Sequence, residues 1–227
     1  MKQYVLSHVD FIWPIDHLGD EDTIVLTEKE IKTNLKNVRK IMGINDPYYG
    51  ELNAWKYIYN DIDDNEWAVL HHYRRKADQL FENNYNIPQS MFFGTSVNQQ
   101  TAYYHTRTMV DLLRQVLSPL DFAILERNEF IPYNIFLTDK PMLKSWLNFV
   151  EEKISKIRNI IGTDIRNFIQ KDKDLWISRP NKNINFDYQK RFFAFLLERL
   201  NTVWWIAQVT NGVTVYPTHI NKMHTKI

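Results

Sequence analysis

The sequence predicts an α/β protein, on three observations. Apolar segments of strand length alternate along the chain with segments whose apolar residues recur at steps of three and four, as helices require. No internal repeat, low-complexity block or linker interrupts that alternation in 227 residues, so a single domain over residues 1–227 is expected, long enough for a sizeable core. The apolar stretch Trp67-Ala68-Val69-Leu70 breaks directly into His71-His72-Tyr73-Arg74-Arg75, and open α/β sheets bind ligands outside the carboxyl ends of their strands.

Residues 2–9 read as the first strand, with Tyr4-Val5-Leu6 leading into Ser7-His8, and residues 23–26 as the second, after a loop holding Pro14 and Gly19. Thr27-Glu28-Lys29-Glu30 has the form of a capping box, in which hydroxyl and carboxylate satisfy each other's backbone donors. It predicts a helix with Ile31, Leu35 and Val38 on its apolar face. A helix over residues 51–59 is expected to turn Leu52, Trp55, Ile58 and Tyr59 inward. Asp61-Ile62-Asp63-Asp64 then makes a turn, and residues 66–70 the buried strand. Residues 76–95 read as polar and irregular. Ser96 and Gln99 form a second capping box, heading a helix that runs to Leu117 and is stopped by Pro119. Residues 121–125 and 133–137 read as strands. Leu143, Trp146, Leu147, Val150, Ile154, Ile157 and Ile161 mark the clearest helix of the chain, with Gly162 as its stop. Residues 171–185 read as a mobile loop, residues 186–209 as a last long helix, and residues 213–216 as one more strand.

Composition narrows the function classes. The 28 Lys and Arg balance 27 Asp and Glu at a formal net charge of +1, which argues against a general nucleic-acid binder while leaving room for a local basic pocket. With no cysteine, disulfides and thiolate metal sites are excluded. Asp10 interrupts the first apolar stretch, and Glu198 and Arg199 interrupt the most apolar one, so neither a secretory signal nor a membrane span is expected. The expected location is cytoplasmic, with peripheral association at the inner membrane face left open. The 7 Trp, 12 Tyr and 13 Phe serve core packing first, although flat rings with polar edges also suit a sugar or base.

Four clusters could carry chemistry. In His72-Tyr73-Arg74-Arg75, two adjacent guanidinium forks match a phosphate or carboxylate; the alternative is an ordinary surface turn whose arginines pair with acids such as Asp78. Asn134, at the start of an apolar strand, offers a donor and an acceptor to a sugar hydroxyl or to its own turn. The pair Glu198-Arg199 is either the exposed stripe of a helix or a functional pair, since buried charge is costly unless paired; a carboxylate there could be a general base. The aspartates at 61, 63 and 64 are hard-cation ligand types, but they precede the strand and so fall at the end opposite a sheet-top ligand. His71 and His72 alternate across the strand, so one of them at most faces a given site. His8, at the end of the first strand, can share the sheet top.

Four segments in order, Glu51-Leu52-Asn53-Ala54-Trp55-Lys56, Leu70 through Arg75, Asn134-Ile135-Phe136-Leu137 and Arg191 through Leu200, resemble a bacterial family catalogued as a domain of unknown function. Its members occur among capsule, exopolysaccharide and O-antigen glycosyltransferases. The family pattern is an acidic-aromatic-Lys helix, a strand ending in HYRR, an Asn-x-Phe strand, and a late helix with an Arg followed by Glu-Arg. The chain departs from it across residues 10–45 and at Lys76, where an aromatic is common.

The resemblance implies a GT-A-like, Rossmann-related domain whose mixed central sheet is flanked by helices, and transfer of a sugar from a nucleotide donor to a growing surface polysaccharide. It implies a UDP-linked donor, with UDP-galactofuranose a candidate, and a glycan or lipid-linked glycan acceptor. Arg74, Arg75, His72 and Tyr73 would bind the donor diphosphate. Ser7, His8, Glu51, Asn134, Arg191 and Arg199 would line the nucleotide and sugar site, and Glu198 would be the base of an inverting displacement. HYRR stands where many GT-A enzymes carry a DxD metal motif. This implies that arginines partly replace the metal at the leaving diphosphate, so no cofactor is assigned with certainty and Mg²⁺ or Mn²⁺ are the candidate ions. The alternative is a catalytically silent nucleotide- or glycan-binding protein of a polysaccharide assembly system.

Overall fold

The structure is a computed structural model and describes residues 1–16, 19–43, 49–162, 164–171 and 191–223. In chain order the described strands and helices are β1 (Lys2–Leu6), β2 (Ile24–Thr27), β3 (Asn37–Lys40), α1 (Gly50–Asp61), β4 (Trp67–His72), β5 (Arg75–Ala77), β6 (Tyr85–Pro88), β7 (Met91–Phe92), α2 (Val97–Tyr104), α3 (Arg107–Val116), α4 (Pro119–Leu125), β8 (Glu129–Phe130), β9 (Leu137–Asp139), α5 (Lys140–Ile161), α6 (Ile165–Lys171), α7 (Phe192–Thr210), β10 (Val215–Thr218) and β11 (Ile220–Lys222). They divide into two compact units. One holds Met1–Gln89, Tyr133–Leu147 and Thr214–Ile227; the other holds Ser90–Pro132 and Asn148–Val213.

The first unit is built on a mixed, mostly parallel sheet in the order β10-β6-β9-β4-β1-β2-β3. β1 runs parallel to both β2 and β4, β2 to β3, and β10 to β6, while β9 is antiparallel between β4 and β6. Strands buried on both faces read as unbroken apolar runs, and Tyr4-Val5-Leu6, Ile24-Val25-Leu26 and Ala68-Val69-Leu70 are all buried. At the edge, β3 is exposed throughout and carries Arg39 and Lys40, charges that discourage pairing with another sheet. α1 buries Leu52, Ala54, Trp55 and Ile58. The Trp55 ring stacks on Phe136 at 4.1 Å and meets Trp146 edge-on at 6.1 Å.

The second unit is mainly helical, with the short ladder β7-β8. Its centre is α7, of which Phe192, Phe193, Leu196, Leu200, Val203 and Trp205 are fully enclosed. α5 has the length expected of it and ends at Gly162, whose φ of +86° is the left-handed conformation a helix stop uses.

Several local expectations are corrected. Residues 28–36 form no helix: the Thr27 hydroxyl closes a turn by donating to the Lys29 carbonyl (3.0 Å). The segment is then tied to the loop after β1 by Lys32 N–H to Asp10 (2.7 Å) and Phe11 N–H to the Lys32 carbonyl (3.0 Å). Leu35 joins a core of Val5, Phe11, Trp13, Val25 and Tyr73, whereas Val38 leaves for the exposed edge strand. The capping box at Ser96 and Gln99 is present. The helix it opens stops at Tyr104, because extended Thr106 caps α3 by accepting the Thr108 N–H (3.1 Å). Residues 121–125 are helix: Ser118 caps α4 and Pro119 occupies its first turn, so the proline starts a helix as well as following one. Of the strand expected at 133–137 only Leu137 is strand, opening β9; Tyr133 has a left-handed φ of +64°. The stretch at 76–95 holds three short strands, β5, β6 and β7, and β11 was not expected. The loop expected over 171–185 and the start of the last helix at 186–190 fall outside the described residues, apart from Lys171 at the end of α6. Among the described residues, no helix is long and apolar enough to cross a membrane.

One buried charge fastens the loop after β1 to β5. The Lys76 ammonium lies 2.5 Å from an Asp16 oxygen and 2.7 Å from an Asp20 oxygen; the Lys76 and Asp20 side chains are buried while Asp16 is exposed. The lysine holds the Asp16 carboxyl below its ordinary range. Lys76→Met is therefore expected to lower unfolding free energy by about 3–5 kcal/mol, because Asp20 is left buried without its counter-charge. Asp16→Asn, at the exposed partner, is expected to cost under about 1 kcal/mol. Urea denaturation of the two variants checks the difference.

Candidate functional site

β1 and β4 are neighbours in parallel register, with Leu6 opposite His72, so their carboxyl ends lie level. The chain leaves β4 through a two-residue turn, Tyr73-Arg74, and returns as β5 with Arg75 paired to His72. The expected basic tip is therefore a tight hairpin. It is pinned from inside: Tyr73 N–H donates to the Leu6 carbonyl (3.0 Å) and the Tyr73 ring is buried. The Arg74 N–H donates to His72 Nδ1 (3.2 Å). With the tyrosine drawn into the core, its neighbour is turned outward, and Arg74 is exposed.

Five of the sequence-selected residues, His8, His72, Tyr73, Arg74 and Arg75, meet at this tip. The exposed His8 ring stands edge-on to Tyr73 at 5.0 Å and to His72 at 6.3 Å. The Tyr73 hydroxyl lies 3.4 Å from His8 Nε2, and the Arg74 guanidinium sits over the Tyr73 ring at 5.1 Å. Arg75 lies over the Tyr133 ring at 4.2 Å. Its Nε is buried without a partner, whereas its terminal nitrogens make no hydrogen bond among the described residues and the side chain is half-buried. Among the described residues neither Arg74 nor Arg75 has an ion-pair partner. Asp78, the acid that could have neutralised them, bonds Asn221 (3.2 Å).

Asn134 and Glu51 form a second group in the same unit. The Asn134 amide donates to Glu51 Oε2 (2.5 Å), and the Asn134 carbonyl accepts from Trp55 Nε1 (3.0 Å). The amide oxygen of Asn134 is buried with no partner, a costly state for a polar atom unless something else completes it. Glu51 stands in the first turn of α1, where the helix dipole favours an acid. Ser7 is fully buried, and its hydroxyl donates to the Val9 carbonyl (2.8 Å), so it shapes the turn that presents His8.

The remaining selected residues lie in the second unit. Arg199 is buried: its Nε donates to Thr101 (3.2 Å), and one terminal nitrogen donates to the Phe195 carbonyl (3.1 Å) and to Glu198 (3.3 Å). Its guanidinium also covers the Phe130 ring at 5.0 Å. Glu198 keeps 21% of its side-chain surface, so the pair is neither an exposed stripe nor fully enclosed. Arg191 is exposed at the head of α7, over Phe195 at 5.1 Å.

The aspartate turn lies at the amino end of β4, as its sequence position required. Asp63 and Asp64 are exposed. Asp61 accepts from the Tyr4 hydroxyl (2.7 Å), from Tyr57 (3.3 Å) and from Arg39. Burial works to raise the Asp61 carboxyl, but the bonds from Tyr4 and Arg39 outweigh it and hold it below its ordinary range. Among the described residues, no group of three or more His, Asp and Glu is placed to hold a metal ion. The described donors at the strand ends are guanidinium and imidazole groups, a set that does not fit a hard divalent cation, which takes carboxylate and carbonyl oxygen.

The sequence reading gave no site or structural role to two residues, Tyr133 and Lys76. The signal for Tyr133 was an aromatic beside the selected Asn134, and for Lys76 a third cation directly after the arginine pair. Both report contacts between distant segments, which spacing does not encode.

The whole described architecture is similar to a solved one, the apo structure of WbbM, a bifunctional glycosyltransferase. The TM-score is 0.66 at 13% identity, over 99% of this chain and 46% of that one. At this identity the likeness shows the fold: a mixed, mostly parallel sheet flanked by helices, of the Rossmann-like glycosyltransferase type. The chain thus spans under half the length of that protein. No protein-family model matches the chain, and no curated protein matches its sequence.

His71, next to the tip, points to the other face of β4. It is fully buried, accepts the Ala77 N–H at Nδ1 (3.2 Å), and so carries its proton on Nε2, toward Gln3 Oε1 (3.2 Å). Burial, then the charge of Lys76, push its pKa down to about 3. An unfolded histidine titrates near about 6.5, so between these values the unfolded chain holds the extra proton. Stability then rises with pH by about 1.4 kcal/mol per unit for this group and is lost on acidification. His71→Gln is expected to reduce the slope of unfolding free energy between about pH 5 and 6 by that amount. Equal slopes in denaturant titrations of the two proteins would refute the assignment.

Proposed function

We propose that this chain is a glycosyltransferase that moves a sugar from a nucleotide-sugar donor, UDP-linked, to a growing surface polysaccharide. The observation that carries the proposal is the pair Arg74 and Arg75. Among the described residues they are cations without counter-charges, at the level carboxyl ends of two parallel strands, in a fold of the glycosyltransferase type. That is where open α/β sheets receive nucleotides, and departure of a nucleoside diphosphate builds negative charge that such donors stabilise. The HYRR resemblance supports the same reading and adds the acceptor, a glycan or lipid-linked glycan met at the inner face of the membrane. UDP-galactofuranose is a candidate donor.

In this proposal Arg74 and Arg75 hold the diphosphate, and His72, Tyr73 and His8 complete the strand-end surface. Asn134, Glu51, Arg191 and Arg199 read sugar or nucleotide groups. Glu198 is the base for an inverting displacement: it takes the acceptor hydroxyl proton as the oxygen attacks the anomeric carbon and the nucleoside diphosphate leaves. The arginines supply the neutralisation for which other enzymes use a divalent ion, so activity is expected to persist in chelator. Strict dependence on Mn²⁺ would sink that part. The second reading, a catalytically silent nucleotide- or glycan-binding protein, gains from one observation: Glu198 already accepts from the buried Arg199, so its carboxylate is engaged within the protein.

Two measurements test the proposal. UDP is expected to raise the melting temperature of the wild type, by the equivalent of about 2.7 kcal/mol at a hundred times the dissociation constant. It is expected to leave the Arg74→Ala/Arg75→Ala protein unmoved; the same shift in both would separate the arginines from the nucleotide. Glu198→Gln is expected to reduce sugar transfer by about 10²–10⁴-fold with UDP affinity within about twofold of wild type. Full activity of that variant would remove Glu198 from the mechanism.

A further inference from the structure

Arg75 is held differently from Arg74, and the residue that holds it has no role so far. Its guanidinium lies 4.2 Å from the centre of the Tyr133 ring, within reach of the attraction between a cation and an aromatic face. The Nε edge is sealed and bonds nothing, while the terminal nitrogens make no hydrogen bond among the described residues. The arginine therefore shows only its outer fork, the part that matches two oxygens of a phosphate.

The backbone at Tyr133 points the same way. Its φ is +64°, a conformation glycine takes freely and a bulky side chain takes only under strain. The next residue is immobilised on both its groups, the Asn134 amide on Glu51 and the Asn134 carbonyl on Trp55. The ring is thus anchored through a fixed backbone.

We propose that Tyr133 is a positioning residue for the nucleotide diphosphate: its ring is a rigid platform that pre-sets the Arg75 fork before the ligand arrives. The inference rests on reading Arg75 as a diphosphate ligand. An unclamped arginine surrenders its rotamer freedom on binding, whereas one already clamped surrenders less, so the platform appears as affinity for the diphosphate and not for the nucleoside.

The test is calorimetric titration of UDP and of uridine into wild type, Tyr133→Phe, Tyr133→Gly and Tyr133→Asn, and into Arg75→Ala with and without Tyr133→Gly. Tyr133→Phe keeps the ring and is expected to bind UDP as wild type does. Tyr133→Gly and Tyr133→Asn suit the left-handed backbone, so they are expected to melt no lower than wild type. They should nevertheless bind UDP about tenfold more weakly, with uridine affinity unchanged. In the Arg75→Ala background, Tyr133→Gly is expected to add no further loss, since the platform then has nothing to hold. Wild-type UDP affinity in the two ringless variants, or an equal loss with and without Arg75, overturns the inference while leaving the proposed function standing. Failure of UDP to bind wild type overturns both.

Discussion

The parallel pairing of β1 with β4 is the constraint on which the candidate site depends. Its register runs from Lys2 opposite Ala68 to Leu6 opposite His72, so both strands end at one level. That register is secured by burial: the interior residues of both strands are enclosed on both faces, and a slip of one residue would carry Gln3 and His71 to the wrong face. Because the register is fixed, the Leu6 carbonyl stands where it receives the Tyr73 N–H. The tyrosine ring then drops into the core beside Phe11 at 6.5 Å. The arginines are outward because the tyrosine is inward.

Beneath the tip, a buried polar chain does what apolar packing alone would not. Lys76 holds Asp20, Asp20 accepts from the Gln3 amide at 3.4 Å, Gln3 faces His71, and His71 accepts from Ala77. Each link joins a different segment: β5, the loop before β2, β1 and β4. Buried polar groups are costly unless they are satisfied, and a satisfied set fixes one arrangement over its neighbours. The strand that follows the arginines is therefore held on its own second residue, and the hairpin has little freedom to relax toward the acids of the loop.

Much of the scaffold was legible because its signals are local. β1, β2, α1, β4 and α5 follow from apolar runs and from steps of three and four, and the Ser96 capping box from four residues. Three of the failures share one cause. Thr27, Ser118 and Thr106 each carry a hydroxyl that can cap a helix or close a turn, and tertiary contacts decide which. At Thr27, Asp10 and Phe11 claim the following segment; at Thr106, a second cap splits one helix into two. For the site, the strand-end position of the arginines and of His8 came from position and residue type. The Asn134–Glu51 bond spans 83 residues and Lys76–Asp20 spans 56, and no periodicity reports pairings of that kind.

The two ends of the sheet differ in one physical respect. At the amino end, Asp61 meets Tyr4, Tyr57 and Arg39, and Lys2 meets Glu66 at 2.9 Å. Charge there is spent inside the protein. At the carboxyl end, Arg74 and Arg75 have no carboxylate among the described residues, although the chain as a whole is nearly neutral. Two adjacent like charges repel, and one of them has a sealed, unbonded Nε, so the arrangement works against folding where an acid or an apolar residue would help it. The third cation of the run shows the alternative: Lys76 is neutralised by two aspartates within the same unit. Acids were thus within reach of this segment, and the fold directs them to the lysine. What remains at the carboxyl ends, among the described residues, is a positive surface without a carboxylate, at the level where open α/β sheets receive ligands.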